Sequence, residues 1–235
     1  MATYVLIPGA GGSAWYWRSL VPELEARGHE VIAVDLPAAD ETAGLKEYAD
    51  TVVEAIGDRT GVILVAQSMG GLSAPLVCTR VPVALLVMLN AMVPSPGETG
   101  GAWWANTGQA QAMAEQAARE GRPLPAEFDP EDAFFHDVAP EVTAEALARG
   151  EQPQSDEPFQ EPWPLEAWPD TPTVFLQGRD DRFFPLPFQR RVVRERLNIP
   201  VDDMPGGHLV ALSRPKELAD RLEEYRIRNI ESNVS

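Results

Sequence analysis

Six short apolar runs recur along the chain, at residues 4–7, 31–34, 62–65, 84–89, 173–176 and 199–201. Their hydrophobicity is continuous rather than alternating, the pattern of strands buried on both faces. Most run into a loop containing Gly, Pro or Asp and then into an amphipathic stretch, at 15–27, 45–56, 69–80, 188–197 and 215–226. Strand and helix in alternation predict an α/β fold: a doubly wound, mainly parallel sheet of about six strands with right-handed crossovers. With 235 residues the chain can bury a full core without cross-links. The alternation stops between residues 95 and 167. That stretch has no long β-branched run, carries 15 acidic residues against three arginines, and is dense in large rings (Trp103, Trp104, Phe128, Phe134, Phe135, Phe159, Trp163). A solvated excursion has no need of so many rings. The expectation is an inserted helical lid at 95–167, with helices at 109–120 and 141–148, over a core made of 1–94 and 168–235.

Composition removes several function classes. Asp and Glu number 36 against 19 Lys and Arg, a net charge of −17, which repels phosphate backbones and argues against nucleic-acid binding. The single cysteine, Cys78, excludes an intrachain disulfide framework and a Cys-rich metal module, and three histidines leave little for a histidine metal site, so no metal is expected. No apolar run approaches the roughly 18 residues of a membrane span. The first residues lack a basic region and lead straight into a strand, so a cytoplasmic protein is expected. The oligomeric state stays open.

Two readings compete for the loop after the first strand. Gly9-Ala10-Gly11-Gly12-Ser13-Ala14 fits a form of the dinucleotide fingerprint, and Asp35 ends the next strand, where an acidic residue would hold a ribose hydroxyl. Against it, Trp15, Tyr16 and Trp17 put bulk where a fingerprint helix starts slim. On the other reading the glycines shape an oxyanion hole, with the Ala10 N–H as one donor; each such donor is worth roughly 3–4 kcal/mol in the transition state.

The nucleophile that this second reading needs is Ser68. In Val62-Ile-Leu-Val-Ala-Gln-Ser68-Met69-Gly70-Gly71 a buried strand turns into a helix through a serine flanked by small residues. This is the nucleophile elbow, G-x-S-x-G, with Ala66 in place of its first glycine. The helix N-terminus behind the serine favours developing negative charge, and the Met69 N–H supplies the second oxyanion donor. A serine hydroxyl needs a general base held in one tautomer. In this fold the acid and then the histidine follow the serine along the chain. After the strand at 173–176 comes Asp180-Asp181-Arg182, and after the next strand Gly206-Gly207-His208. Asp181 is read as the acid, with Asp180 as the alternative, and His208 as the base. His29 at a helix end, His136 in the lid and Cys78 on the helix after the elbow are read as structural.

On these motifs the sequence resembles the α/β-hydrolase superfamily over nearly its whole length, and more narrowly the branch of plant methylesterases and hydroxynitrile lyases. The segment from Val5 to Trp17, Gln67 to Gly71, and Gly207 to Pro215 carry the likeness. Members usually have His-Gly where this chain has Pro8-Gly9, which leaves the Ala10 donor unaffected. Lyases of the branch carry Thr at the position of Gly9 and Lys at that of Leu209. Both are absent, so the resemblance implies an esterase that needs no cofactor. The expected substrate is a small apolar or aromatic ester, bound against Gly9, Trp15, Trp17, Trp104 and Leu209. A cofactor-free lyase or oxygenase, or a ligand receptor with an inert Ser68, are the other readings of the same fold.

Overall fold

The computed structural model describes residues 1–123, 127–150 and 152–230. In chain order the elements are β1 (Thr3–Ile7), a 3₁₀ turn (Ala14–Trp17), α1 (Val21–Glu25), β2 (Glu30–Ala33), α2 (Leu45–Ile56), β3 (Val62–Gln67), α3 (Gly70–Cys78) and β4 (Val83–Leu89). Then follow α4 (Gly100–Thr107), α5 (Gln109–Arg119), a π-helical turn (Glu131–Phe135), α6 (Pro140–Ala148) and α7 (Glu157–Gln160). The chain closes with β5 (Thr173–Gly178), α8 (Leu186–Leu197), β6 (Val201–Met204), α9 (Val210–Ser213) and α10 (Pro215–Ile230).

The strands form one six-stranded sheet in the order β2-β1-β3-β4-β5-β6, every pairing parallel. Period-two side-chain alternation splits each strand between two cores. Val5 and Ile7 of β1 and Val62, Leu64 and Ala66 of β3 face one of them, with Tyr48, Val52 and Ile56 of α2 and Phe188, Val192 and Val193 of α8. Tyr4 and Leu6, and Ile63 and Val65, face the other, with Leu24 of α1 and Leu218, Leu222 and Tyr225 of α10. All residues of β1 and β3 are buried, which is why their sequences read as unbroken apolar runs.

Three elements differ from the sequence expectation. The helix expected at 15–27 is two pieces, because the Ser13 side chain caps a 3₁₀ turn and the helix restarts at Val21 with Pro22, which lacks an N–H, in its first turn. The last strand runs four residues from Val201 rather than ending there. It is an edge strand, and Asp203 pairs with Arg179 and Arg190 while Asp202 accepts from the Tyr225 hydroxyl, so the carboxylates are satisfied in place. Finally, α4 begins with two glycines and has no helical sequence signal. Thr99 Oγ1 caps it at Ala102 N (3.0 Å), and Gly100 packs so closely on Phe159 that a Cβ would stand 2.9 Å from that ring. Between β4 and β5 no described residue joins the sheet.

Candidate active site

A parallel sheet delivers the loops after its strands to one edge, and that edge gathers the residues singled out above. Ser68 sits between β3 and α3 with φ of +53°, in the left-handed region that non-glycine residues avoid. Its strain is held by the strand on one side and by the Gly71 and Met92 N–H groups donating to its carbonyl on the other. The helix can come this close only because Gly71 lacks a side chain: a Cβ there would lie 2.1 Å from the Met92 carbonyl oxygen.

His208, on the loop after β6, places Nε2 3.1 Å from Ser68 Oγ. Its Nδ1 lies 2.8 Å from Asp181 Oδ2, on the loop after β5, and both residues are buried. Asp181 is further fixed by Gln177 Nε2 at Oδ2 (3.0 Å) and by the Phe183 and Phe184 N–H groups at Oδ1 (2.8 and 2.9 Å). Asp180 points the other way, is exposed, and accepts the Gly206 N–H. Of the two carboxylates, Asp181 is therefore the one joined to His208. An imidazole so held can take the hydroxyl proton at Nε2 while its Nδ1–H stays bonded to the carboxylate.

A cavity of about 90 Å³ opens at Ser68, lined by Gly9, Ala10, Tyr16, Phe134, His208 and Leu209 among others. Gly9 approaches so closely that a Cβ would stand 2.9 Å from Ser68 Cβ and 2.8 Å from Gln67 Oε1. Among the described residues no acceptor meets the N–H of Ala10 or of Met69. Asp35 accepts the Ala14 N–H at 2.7 Å, so the carboxylate that the dinucleotide pattern would aim at a ribose instead braces the first loop. Larger cavities exist, one of about 300 Å³ between α5 and α8, but it holds neither a serine nor a histidine.

The three tryptophans expected in the substrate site lie outside this cavity. Trp17 is buried in the core beside Leu20 and Leu24, although it also walls a narrow apolar pocket with Tyr16 and Leu209. Trp15 meets Tyr16 edge-to-face, beneath the Arg18 and Arg149 guanidinium groups. Trp104 packs on Trp103, Phe183 and Phe184. The rings nearest His208 are Phe134, Phe183 and Phe184, with centroids 5.1, 5.3 and 5.3 Å away. Sequence reasoning also missed Asn90, at the end of β4 with φ of +46°. Its Nδ2 donates to the Gly207 and His208 carbonyls (3.0 and 2.8 Å) and its Oδ1 accepts the Gly178 N–H. The one available signal was an asparagine closing an apolar strand. His29, just before β2, accepts the Ala2 N–H and pairs with Glu223, and it does not line this cavity.

The model of the alpha/beta hydrolase family matches residues 4–221. The chain belongs to that family. Among curated relatives of this alpha/beta hydrolase is "Probable esterase PIR7A" of Oryza sativa subsp. indica, 27% identical, with 93% of this chain and 94% of the relative covered. A pyrethroid hydrolase of Sphingobium wenxiniae is 28% identical, with 94% of this chain and 86% of that one covered. Among solved structures, that of a pyrethroid hydrolase superposes with a TM-score of 0.74 at 26% identity, covering 95% of this chain and 96% of that one.

Proposed function

We propose that this alpha/beta hydrolase is a carboxylic ester hydrolase working through an acyl-enzyme on Ser68. The observation that carries the proposal is the unbroken line from Ser68 Oγ through His208 to Asp181, at 3.1 and 2.8 Å. The probable esterase and the pyrethroid hydrolase among its relatives support the reaction class.

Ser68 Oγ attacks the ester carbonyl carbon while His208 Nε2 takes the hydroxyl proton. The electron pair of the carbonyl moves onto its oxygen, where the Ala10 and Met69 N–H groups, which no acceptor meets among the described residues, receive the negative charge. Collapse of the tetrahedral species expels the alcohol, which leaves with the proton from His208. Water then attacks the acyl-enzyme with His208 again as base, releasing the acid and restoring Ser68. Asp181 keeps the imidazole in the required tautomer throughout.

The cavity favours a small, apolar acyl or alcohol part. About 90 Å³ falls well below the roughly 300–1,000 Å³ of pockets for drug-sized ligands, and Tyr16, Phe134, Phe135 and Leu209 supply its walls. The segment at 95–167 acts as its cap, contributing Phe134 and Phe135. Hydrolysis of short acyl and aryl esters by the wild-type protein and by Ser68→Ala tests the proposal. The variant is expected to lose at least about 10⁴-fold in kcat with its fold intact. Full activity in the variant would refute the mechanism.

A further inference from the structure

The segment between β4 and β5 sends side chains to three of the four loops that carry the proposed chemistry, the elbow excepted. At the Asp181 loop, Gln109 Nε2 donates to the Phe183 carbonyl at 2.7 Å, and Asp132 pairs with Arg182. At the His208 loop, Asp137 Oδ2 accepts the Gly207 N–H at 2.7 Å, one residue before the base. At the first loop, Gln154 Oε1 accepts the Gly11 N–H at 2.9 Å, one residue after Ala10, while its Nε2 donates to the Tyr48 hydroxyl at 3.0 Å.

The packing at these points is tight. A Cβ on Gly207 would stand 2.6 Å from Asp137 Oδ1 and 2.7 Å from His136 Nε2, and one on Gly11 would stand 2.8 Å from Gln152 Cβ. The segment therefore rests directly on the backbone of both loops. Asn90 grips the carbonyls of Gly207 and His208 from the sheet side, and Asp137 grips the N–H of Gly207 from the opposite segment. Asp180 also accepts the Gly206 N–H (2.9 Å) and Gln67 Nε2 donates to the His208 carbonyl (3.3 Å), so the sheet side holds the loop by several bonds while Asp137 ties it to the capping segment.

We propose that Asp137 and Gln154 are positioning residues, Asp137 for the general base and Gln154 for the Ala10 oxyanion donor, so that the capping segment is a fixed clamp on the machinery. The proposal rests on the serine-hydrolase reading above. Proton transfer and oxyanion contact both demand near-exact placement, and a displacement of about 1 Å costs on the order of 100-fold in rate.

The test compares wild type, Asp137→Ala, Asp137→Asn and Gln154→Ala. It reads the rate constant for fluorophosphonate labelling of Ser68, and kcat and KM for p-nitrophenyl acetate. Asp137→Ala and Gln154→Ala are expected to lower labelling and kcat by about 10–100-fold, with KM changed by less than roughly threefold. Asp137→Asn keeps an acceptor oxygen for the Gly207 N–H and is expected to recover most of the rate. Wild-type labelling rates in Asp137→Ala, or an Asp137→Asn variant as slow as Asp137→Ala, would overturn the role of Asp137; unchanged kcat in Gln154→Ala would overturn that of Gln154. A wild-type protein that takes no label would instead refute the serine-hydrolase reading itself. Where an alanine variant fails to fold, amide exchange in the wild-type protein decides: the Gly11 and Gly207 amides are expected to exchange slowly, and solvent-like exchange in either removes its partner from the proposal.

Discussion

Gly9 and Ser68 meet at a contact that leaves no room for one methyl group. Gly9→Ala would press a Cβ onto Ser68 Cβ and Gln67 Oε1, both under 3.0 Å away, and neither neighbour is a free surface chain. The variant is expected to fold yet to lose most ester hydrolysis, which activity beside a thermal melt would check. Cys78 offers the opposite kind of test. Burial pushes its thiol up to about 12, so almost no thiolate forms near neutrality. Native protein is expected to resist a maleimide at pH 8 and to react once unfolded. Rapid native labelling that also destroyed activity would put Cys78 in the chemistry and count against Ser68. At this scale much was legible in the sequence, since elbow, acid and base follow one another in a recognisable order. The choice between Asp180 and Asp181 was not, because it depends on which carboxylate the loop turns toward His208. The roles of Asn90 and Asp137 escaped for a related reason: each acts on backbone groups supplied by a distant loop, and no local pattern marks such a partner.

Elements on the two sides of the sheet differ in how clearly their sequences announce them. Strands β1 and β3 read plainly because every residue is buried, and α2 because Leu45, Tyr48, Ala49, Val52 and Ile56 repeat at helical spacing. By contrast α4 starts with two glycines, and its existence depends on tertiary packing against Phe159. The tryptophans taken for substrate contacts show the same limit: an aromatic residue beside a motif says nothing of which way it faces. Just before α4, Glu98 makes a half-buried ion pair with Arg196 of α8 (Nη2 to Oε1, 2.9 Å). Burial works to raise the Glu98 carboxyl, but Arg196, Asn106 and the Ser95 N–H outweigh it and hold its pKa below the ordinary carboxylate value. A carboxyl depressed in the folded state stabilises the fold above its unfolded pKa, and that contribution disappears as pH falls through the folded value. Glu98→Gln is expected to cost on the order of 1–3 kcal/mol at neutral pH, with the gap to wild type closing in acid. Urea titrations at pH 7 and pH 4 measure this; an equal gap at both would contradict it.

Over the whole molecule, a net charge of −17 surrounds a cavity whose own walls are largely apolar rings. That field repels anionic substrates at long range and is screened within about 10 Å at 0.1 M salt. The preference for a neutral ester over an anionic one of the same size is therefore expected to fall as salt is added, read as the ratio of kcat/KM values. A ratio that salt leaves unchanged would place the discrimination in the cavity walls instead. The fold class and sheet size follow from the succession of apolar strands and amphipathic helices that the chain repeats on either side of 95–167, whereas the cavity is assembled from residues as far apart as Gly9, Phe134 and Leu209 and has no signature in any one stretch. The central claim is that Ser68 is activated by His208. Its most direct test is fluorophosphonate labelling read by intact mass on wild type, Ser68→Ala and His208→Ala. One adduct on the wild type, absent from both variants, is the expected result. A folded wild type without an adduct, or an adduct that survives Ser68→Ala, would contradict the claim.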